Sequence, residues 1–415
     1  MNKKEVKKAP ALRFKGFTND WEQRKLKEVV NINPSTNVPN TFNYVDLNSV
    51  KGVSLIKVKK INKKEAPSRA QRVAKNGDIF YQMVRPYQKN NYLFNKPKTS
   101  FPYVFSTGYA QLRSIKTSPS YIFPLLQKSD FVNKVLAHST GTSYPAINSR
   151  DLGQIKIYLP NELVEQNKIG EIFQKINKII ELQQRKLKLL KLLKQGMLQN
   201  LFTSKDTPIL RFYGFYDILK QYKLSHLFYV NGRIGFRGYT RKDIISKNEG
   251  GIWAISPINI QDNCLVSLHN NTYITKAKYE ESPEIQLRPS YSLLVKTGST
   301  LGKSAYINNL YEPATINPQI AVLKPINKKI SKYLGYILTT DNFLQQITAL
   351  KIGGAIPTLT ERDLKEVKLY IVPDTKEANK ISNFLNKLDV IIGFQQKNIN
   401  NLHQVKKFLF QNMFI

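Results

Sequence analysis

The chain has 415 residues, 64 Lys+Arg against 29 Asp+Glu, a formal charge of +35 and a single cysteine. Its length supports several domains, each with its own core, and its charge, far beyond what solubility needs, points to a polyanion, nucleic acid before an anionic membrane. Cys264 alone excludes an internal disulfide and fits a reducing cytoplasm, and the basic start "MNKKEVKKAP", with no long apolar run behind it, gives no targeting or membrane-spanning segment to expect.

In chain order, the first distinct segment is a lead-in box, "LRFKGFTNDWEQRKL", beginning at Leu12. Residues 29–139 then read as a mixed α+β head. "VAKNGDIFYQMV" is a turn followed by a β-rich run, and "YIFPLLQKSDFVNKVLAHST" reads as helix. The head closes on the box "TGTSYPAINSRDLGQIKIYLP" at residues 140–160, and Asn161 is the expected cap of the long tail that follows. Residues of that tail at heptad spacing are Ile169, Phe173, Ile176, Ile180, Gln183, Leu187, Leu190, Lys194, Met197 and Leu201, an apolar seam broken only by Gln183 and Lys194.

A short link, "TSKDTPIL", leads to a second lead-in box, "LRFYGFYDILKQYKL", which starts 198 positions after the first (210 − 12). The second middle, residues 227–351, does not resemble the first, although "RPSYSLLVK" is again a turn and a β-run and "SKYLGYILTTDNFLQQITAL" again a helical approach. It closes on "IGGAIPTLTERDLKEVKLYIVP", where Gly141, Pro145, Arg150, Asp151, Leu152, Lys156 and Tyr158 each return 212 positions on (353 − 141). The offset continues without a gap through a second tail with the seam Ile381, Leu385, Leu388, Ile392, Gln395, Ile399, Leu402, Lys406, Leu409 and Met413. Gln395 and Lys406 fill the same two polar rungs as Gln183 and Lys194, and these residues are expected to fix helix register. Asp374 with Glu377 reads as a capping box opening the second tail.

Repetition of this length is duplication. The expected segments are 1–160 (first head, lead-in 12–28), 161–203 (first long helix), 204–373 (second head, lead-in 210–226) and 374–415 (second long helix). Matching frames around unmatched middles imply one scaffold carrying two differently shaped reading heads. A helix of about 40 residues is about 60 Å long. Connectivity then puts the second head at the far end of the first helix and returns the second helix antiparallel along the shared seam. The expectation is a rod with a head at each end and an approximate two-fold axis.

Catalytic motifs fail on inspection. Four scattered histidines (His138, His226, His269 and His403) form no zinc spacing with the cysteine. In "TGSTLGKS" the glycines stand one residue too close for a phosphate loop, and "GRIGFRG" misses the dinucleotide fingerprint. Asp363, Glu366 and Lys368 resemble a nuclease set, but the first copy has Gln154 where Glu366 should be. No Asn-Pro-Pro-aromatic box for amino-group methylation occurs. The chain offers instead basic residues interleaved with aromatics and amides: Arg69, Arg72, Arg85, Tyr87, Lys89, Asn90 and Tyr92 in the first head, Arg233, Arg237, Tyr239, Arg241, Lys296, Thr297, Ser299 and Lys303 in the second. Arg and Lys suit phosphates and guanine edges, Asn suits adenine. The composition also admits a freestanding bipartite DNA-binding regulator.

The order "LRFKGF…W", "PSRAQR…NGDIFYQMVRP", "TGTSYPAINSRDL…LP" and long helix, given twice, resembles the specificity subunit of type I restriction–modification enzymes over essentially the whole chain. "GRIGFRGYTRKD…SPINI" and "LLVKTGSTLGKSAYI" look like variants found in second heads of that family. The resemblance implies an α+β fold of two target-recognition domains, each reading half of a split DNA site, joined by two antiparallel helices as an intramolecular coiled coil. It implies no catalysis in this chain. Adenine methylation with S-adenosylmethionine, and cleavage with ATP and Mg, belong to two modification subunits and to restriction subunits. It also adds Thr142, Ser143 and Tyr144 to the DNA-contact candidates, a stretch that the second box, with "IGGAIP", lacks.

Overall fold

The computed structural model describes residues 9–96, 101–261, 264–266, 271–350 and 357–415, apart from the side chain of Phe236. The "IGGAI" of the second box and His269 lie outside them. The chain divides into two compact units, Met1–Arg185 with Gln396–Ile415, and Lys186–Gln395. The division cuts through both long helices, because each part of a helix packs on the head nearest to it in its own unit.

The repeated boxes are two edges of one ribbon. In the first unit Glu22–Lys25, from the lead-in box, pairs antiparallel with Lys156–Leu159, from the closing box, Glu22 opposite Leu159 and Lys25 opposite Lys156. In the second, Lys220–Lys223 pairs with Lys368–Ile371 in the same register. Alternation drives each ribbon onto its core: Ile157 and Leu159 are buried, as are Leu369 and Ile371, while Lys156 and Lys368 are exposed.

The helices run Leu163–Leu201 and Thr375–Asn412, and no described helix is long and apolar enough to cross a membrane. None of the seam positions of either helix is exposed. In the first unit the start of the first helix shares a core with the end of the second, Phe173 lying 4.5 Å from Phe410 ring to ring. In the second unit Leu201, the last residue of the first helix, shares a core with Ile381, Leu385 and Leu388 near the start of the second. Both pairings are therefore antiparallel.

The caps differ from expectation. The first helix begins at Leu163, which puts Glu162 rather than Asn161 at the cap position. Asp374 does cap the second, its Oδ1 accepting from the Lys376 N–H at 2.7 Å. Glu377 closes no capping box, because its carboxylate is taken by Arg211 through two hydrogen bonds of 2.8 and 2.7 Å. The first unit repeats the pair: Arg13 of "LRF" holds Glu165 at 2.6 and 2.8 Å. Both carboxylates are 1% exposed. The duplicated arginine thus staples each lead-in box to the first turn of a long helix.

The middles, unlike in sequence, share a topology. In the first unit a four-stranded sheet runs Val30–Ile32, Tyr109–Ser114, Ile79–Gln82, Tyr92–Leu93. In the second it runs Phe228–Gly232, Ile320–Pro325, Ser292–Val295, Ser304–Tyr306. Each head also has a parallel pair, Tyr103–Ser106 on Thr41–Val45 and Ile252–Ile255 on Ala314–Ile316. Each has a small hairpin as well, Val50–Lys51 with Ser54–Leu55 and Ile260–Gln261 with Cys264–Leu265. Among the described residues, only the first head has a fourth strand, Ala70–Val73, in its second sheet. What persists between the heads is the topology and the pattern of buried positions rather than residue identity, and the loops carry the difference in shape.

Candidate nucleic-acid interface

Each head presents the loop that follows the third strand of its four-stranded sheet. In the first unit this loop is "MVRPYQKNN", clamped to the closing box by Arg85 N–H donating to the Pro145 carbonyl at 2.7 Å and Ile147 N–H to Met83 at 3.1 Å. In the second it is "KTGSTLGK", where Gly298 donates to Pro357 at 3.0 Å and Leu359 to Lys296 at 2.8 Å. The acceptors and donors on the box are related by the same offset of 212 (357 − 145), so Arg85 and Gly298 occupy one structural position. Both are left-handed, at φ 54° and 101°. Glycine adopts this freely, whereas an arginine there costs on the order of 1–3 kcal/mol.

Arg85 lies with its guanidinium 4.2 Å from the centre of the Tyr144 ring, and Tyr144 is 62% exposed. The sheet, loop and box line a cleft of about 700 Å³ that includes Lys51, Gln82, Arg85, Gln88, Asn90 and Tyr144. Lys51 and Gln88 joined this surface without any sequence signal beyond residue type. Asn90 ties the loop to the small hairpin, its Oδ1 accepting from Gly52 N–H at 2.8 Å. Tyr87, Thr142, Ser143 and Arg69 are exposed, while Arg72 is half-buried with its Nε left without a hydrogen-bond partner. Burial lowers the Arg72 pKa.

Several candidates are instead engaged by other groups of the protein. Tyr92 is half-buried and stacks on Phe105 with centroids 6.1 Å apart, a core role. Lys89 turns toward the helix Ser129–Ala137 and donates to Ser129 Oγ at 3.1 Å. Arg233 is buried, donating to the Ile316 carbonyl at 3.0 Å and to Thr315 Oγ1 at 3.1 Å, with Tyr239 against its guanidinium. Its place is structural, because the strand Ala314–Ile316 needs those groups satisfied. Arg237 donates to the Glu281 carbonyl at 3.1 Å, and Lys296 to Glu361 at 3.3 Å. Thr297 is half-buried in a β-bridge with Thr358. Arg241, Ser299 and Lys303 stay exposed. At the register rungs, Lys194 forms an ion pair with Asp389 at 2.5 Å, and Gln395 is buried at 4% exposure. Gln183 and Lys406 are half-buried.

The family model described as type I restriction modification DNA specificity domain matches residues 18–192 and 237–404. Among curated relatives, the type I restriction enzyme MjaVIII specificity subunit of Methanocaldococcus jannaschii is 21% identical over 303 residues, covering 69% of this chain and 67% of that protein. The MjaIX specificity subunit of the same organism is 27% identical over 131 residues, 32% of this chain and only 29% of that protein. Two solved structures share the fold. The type I restriction–modification S subunit from M. genitalium superposes with a TM-score of 0.63 at 13% identity, over 98% of this chain and 99% of that one. A chain from the work on complex assembly and conformational transition of the type I R-M system gives 0.54 at 21%, over 94% and 96%. None of these matches favours a freestanding regulator.

Proposed function

Because the chain belongs to the type I restriction modification DNA specificity family, we propose that each of its heads reads one half of a split DNA site. The observation that carries this reading is the repeated clamp: two loops of unrelated sequence, "MVRPYQKNN" and "KTGSTLGK", held in one backbone frame by the same box. A fixed frame with exchangeable loops is what a reader needs if its target is to change without its assembly changing. Arg85 with Tyr144, and Ser299 with Lys303, are the groups each frame offers to bases and phosphates.

In this reading catalysis lies elsewhere. Two modification subunits supply methylation of adenine with S-adenosylmethionine, and restriction subunits supply ATP- and Mg-dependent cleavage. The long helices set the spacer between half-sites and dock the modification subunits. Exposed apolar side chains on the helices support docking: Ile179, Leu182, Val405 and Phe408 in the first unit, Leu189, Leu192, Leu193, Val390, Ile391 and Phe394 in the second. Unpaired apolar rows of this kind mark protein contacts. The reading is tested by mapping DNA methylation in cells with and without this chain and by co-purification. A bipartite methylated motif that vanishes with the chain, and a methyltransferase that co-purifies, are expected; an unchanged methylome overturns the reading.

A further inference from the structure

The duplication has produced two equivalent clefts of different charge: the second unit's balances Lys191 and Lys194 with Asp341 and Asp389, whereas the first unit's sets four lysines against one described carboxylate. In the second unit a cleft of about 290 Å³ lies between the end of the first long helix and the turn before the helix Asp341–Leu350, and includes Lys194, Gln195, Thr340, Asp341 and Asp389. In the first unit a cleft of about 590 Å³ lies between the end of the second long helix and the turn before the helix Ser129–Ala137, and includes Lys406, Lys407, Lys128 and Ser129. The offset of 212 relates these positions one to one (406 − 194, 341 − 129).

In the second unit the seam lysine is neutralised. Lys194 pairs with Asp389 at 2.5 Å, and the Tyr336 hydroxyl donates to the same carboxylate at 2.7 Å. In the first unit the counterpart of Asp389 is Asn177 (389 − 212) and that of Tyr336 is Pro124 (336 − 212). Gln195 and Thr340 have become Lys407 and Lys128, and Lys89 enters from the clamped loop. Lys406 makes no ion pair among the described residues, its ammonium lying 5.8 Å from the Phe410 ring centre. The one carboxylate among the described residues of the cleft, Asp130, is engaged by Lys128 at 2.8 Å. Burial lowers the pKa of Lys89 and of Lys406, and Lys89 lowers that of Lys406 further. Four lysines, Lys89, Lys128, Lys406 and Lys407, share this cleft with the single described carboxylate Asp130, and ammonium groups crowded into a half-buried space with too little counter-charge are costly unless an anion joins them.

We propose that this cleft binds a phosphate group, held by Lys89, Lys406 and Lys407 with the Ser129 hydroxyl as a further donor. Several donors converging on one space suit a multiply charged oxyanion, and Ser129 begins a helix whose free N–H groups favour the same charge. The group comes either from a free polyphosphate or from a DNA backbone, and the site goes beyond base reading by the heads.

Titration of the full chain with inorganic tripolyphosphate tests this, with Asn177→Asp restoring the missing carboxylate and Lys406→Met removing the central charge. Each substitution is expected to weaken tripolyphosphate binding about tenfold or more, the worth of a charge-assisted hydrogen bond, while Asp389→Asn in the second unit leaves it as tight or tighter. A short DNA duplex taken through the same variants separates the sources. Parallel loss of duplex affinity assigns the phosphate to DNA, and unchanged duplex affinity assigns it to a free ligand. No tripolyphosphate binding, or binding unaffected by both first-unit substitutions, overturns the site.

Discussion

Arg85 and Arg233 look alike in sequence, each a basic residue in a loop rich in glycine or aromatics, and the structure gives them opposite tasks. Arg233 is buried on groups from the strand Ala314–Ile316, about eighty residues away in the chain (315 − 233), and nothing near it in sequence announces that. Arg85 stays at the surface against Tyr144 in a strained left-handed backbone, strain of the kind that collects at working sites. Arg85→Ala is expected to cost about 1–3 kcal/mol in DNA affinity and relax one position of the motif; weakening spread evenly over all sequences would make it a phosphate contact. Arg233→Ala is expected to show up in denaturant unfolding instead, because it orphans buried acceptors. The staples Arg13–Glu165 and Arg211–Glu377 could be read by combining the two offsets, since each partner recurs in its own box. Reading Glu377 as a cap hid its real partner. Arg13→Ala leaves a carboxylate that is 1% exposed without its counter-charge, and a loss of about 3–5 kcal/mol of stability is expected, measured by chemical denaturation.

Among elements, the long helices were the most legible because a heptad seam is a strong periodic signal. Every seam residue named from that period is shielded from solvent. The ends were legible only to within one to three residues (161–203 expected against Leu163–Leu201, 374–415 against Thr375–Asn412), since neighbouring polar residues compete for the cap. The two-stranded ribbons explain why both boxes had to be copied together: an altered strand on one side would have lost its register with the other. The common topology of the middles was not legible, because strands conserve burial rather than identity. Close packing at the root makes a further prediction. A Cβ on Gly170 would stand 2.5 Å from the Ser120 backbone carbon. Gly170→Ala therefore forces the helix Pro119–Gln127 away from the long helix, and destabilisation of about 1–3 kcal/mol is expected despite the better helix propensity of alanine. A variant as stable as the parent would show that this contact yields cheaply.

At the scale of the whole molecule, the charge of +35 belongs with a ligand that carries a phosphate on every nucleotide. If about 6–10 phosphates are neutralised, affinity is expected to fall by about 10³–10⁵ between about 50 and 200 mM salt, and a nearly flat dependence would contradict a DNA ligand. The spacer function of the helices has its own test. One heptad inserted after Leu187, with a matching heptad after Ile399, keeps both seams in phase and adds about 10 Å, or about 3 base pairs. The doubly extended protein is expected to recognise the same half-sites across a longer spacer or to stop binding, and an unchanged motif and spacer would leave the helices a docking surface only.

The central claim is that each head reads its own half-site from within a common frame, and exchange of one middle tests it most directly. Residues 29–139 are replaced by the first middle of another family member, leaving in place the ribbon strands Glu22–Lys25 and Lys156–Leu159 and both long helices. The methylated motif is then mapped in cells that supply the partner subunits. One half of the motif is expected to change while the other half and the spacer stay as they were; a change in both halves, or in neither, would contradict the claim.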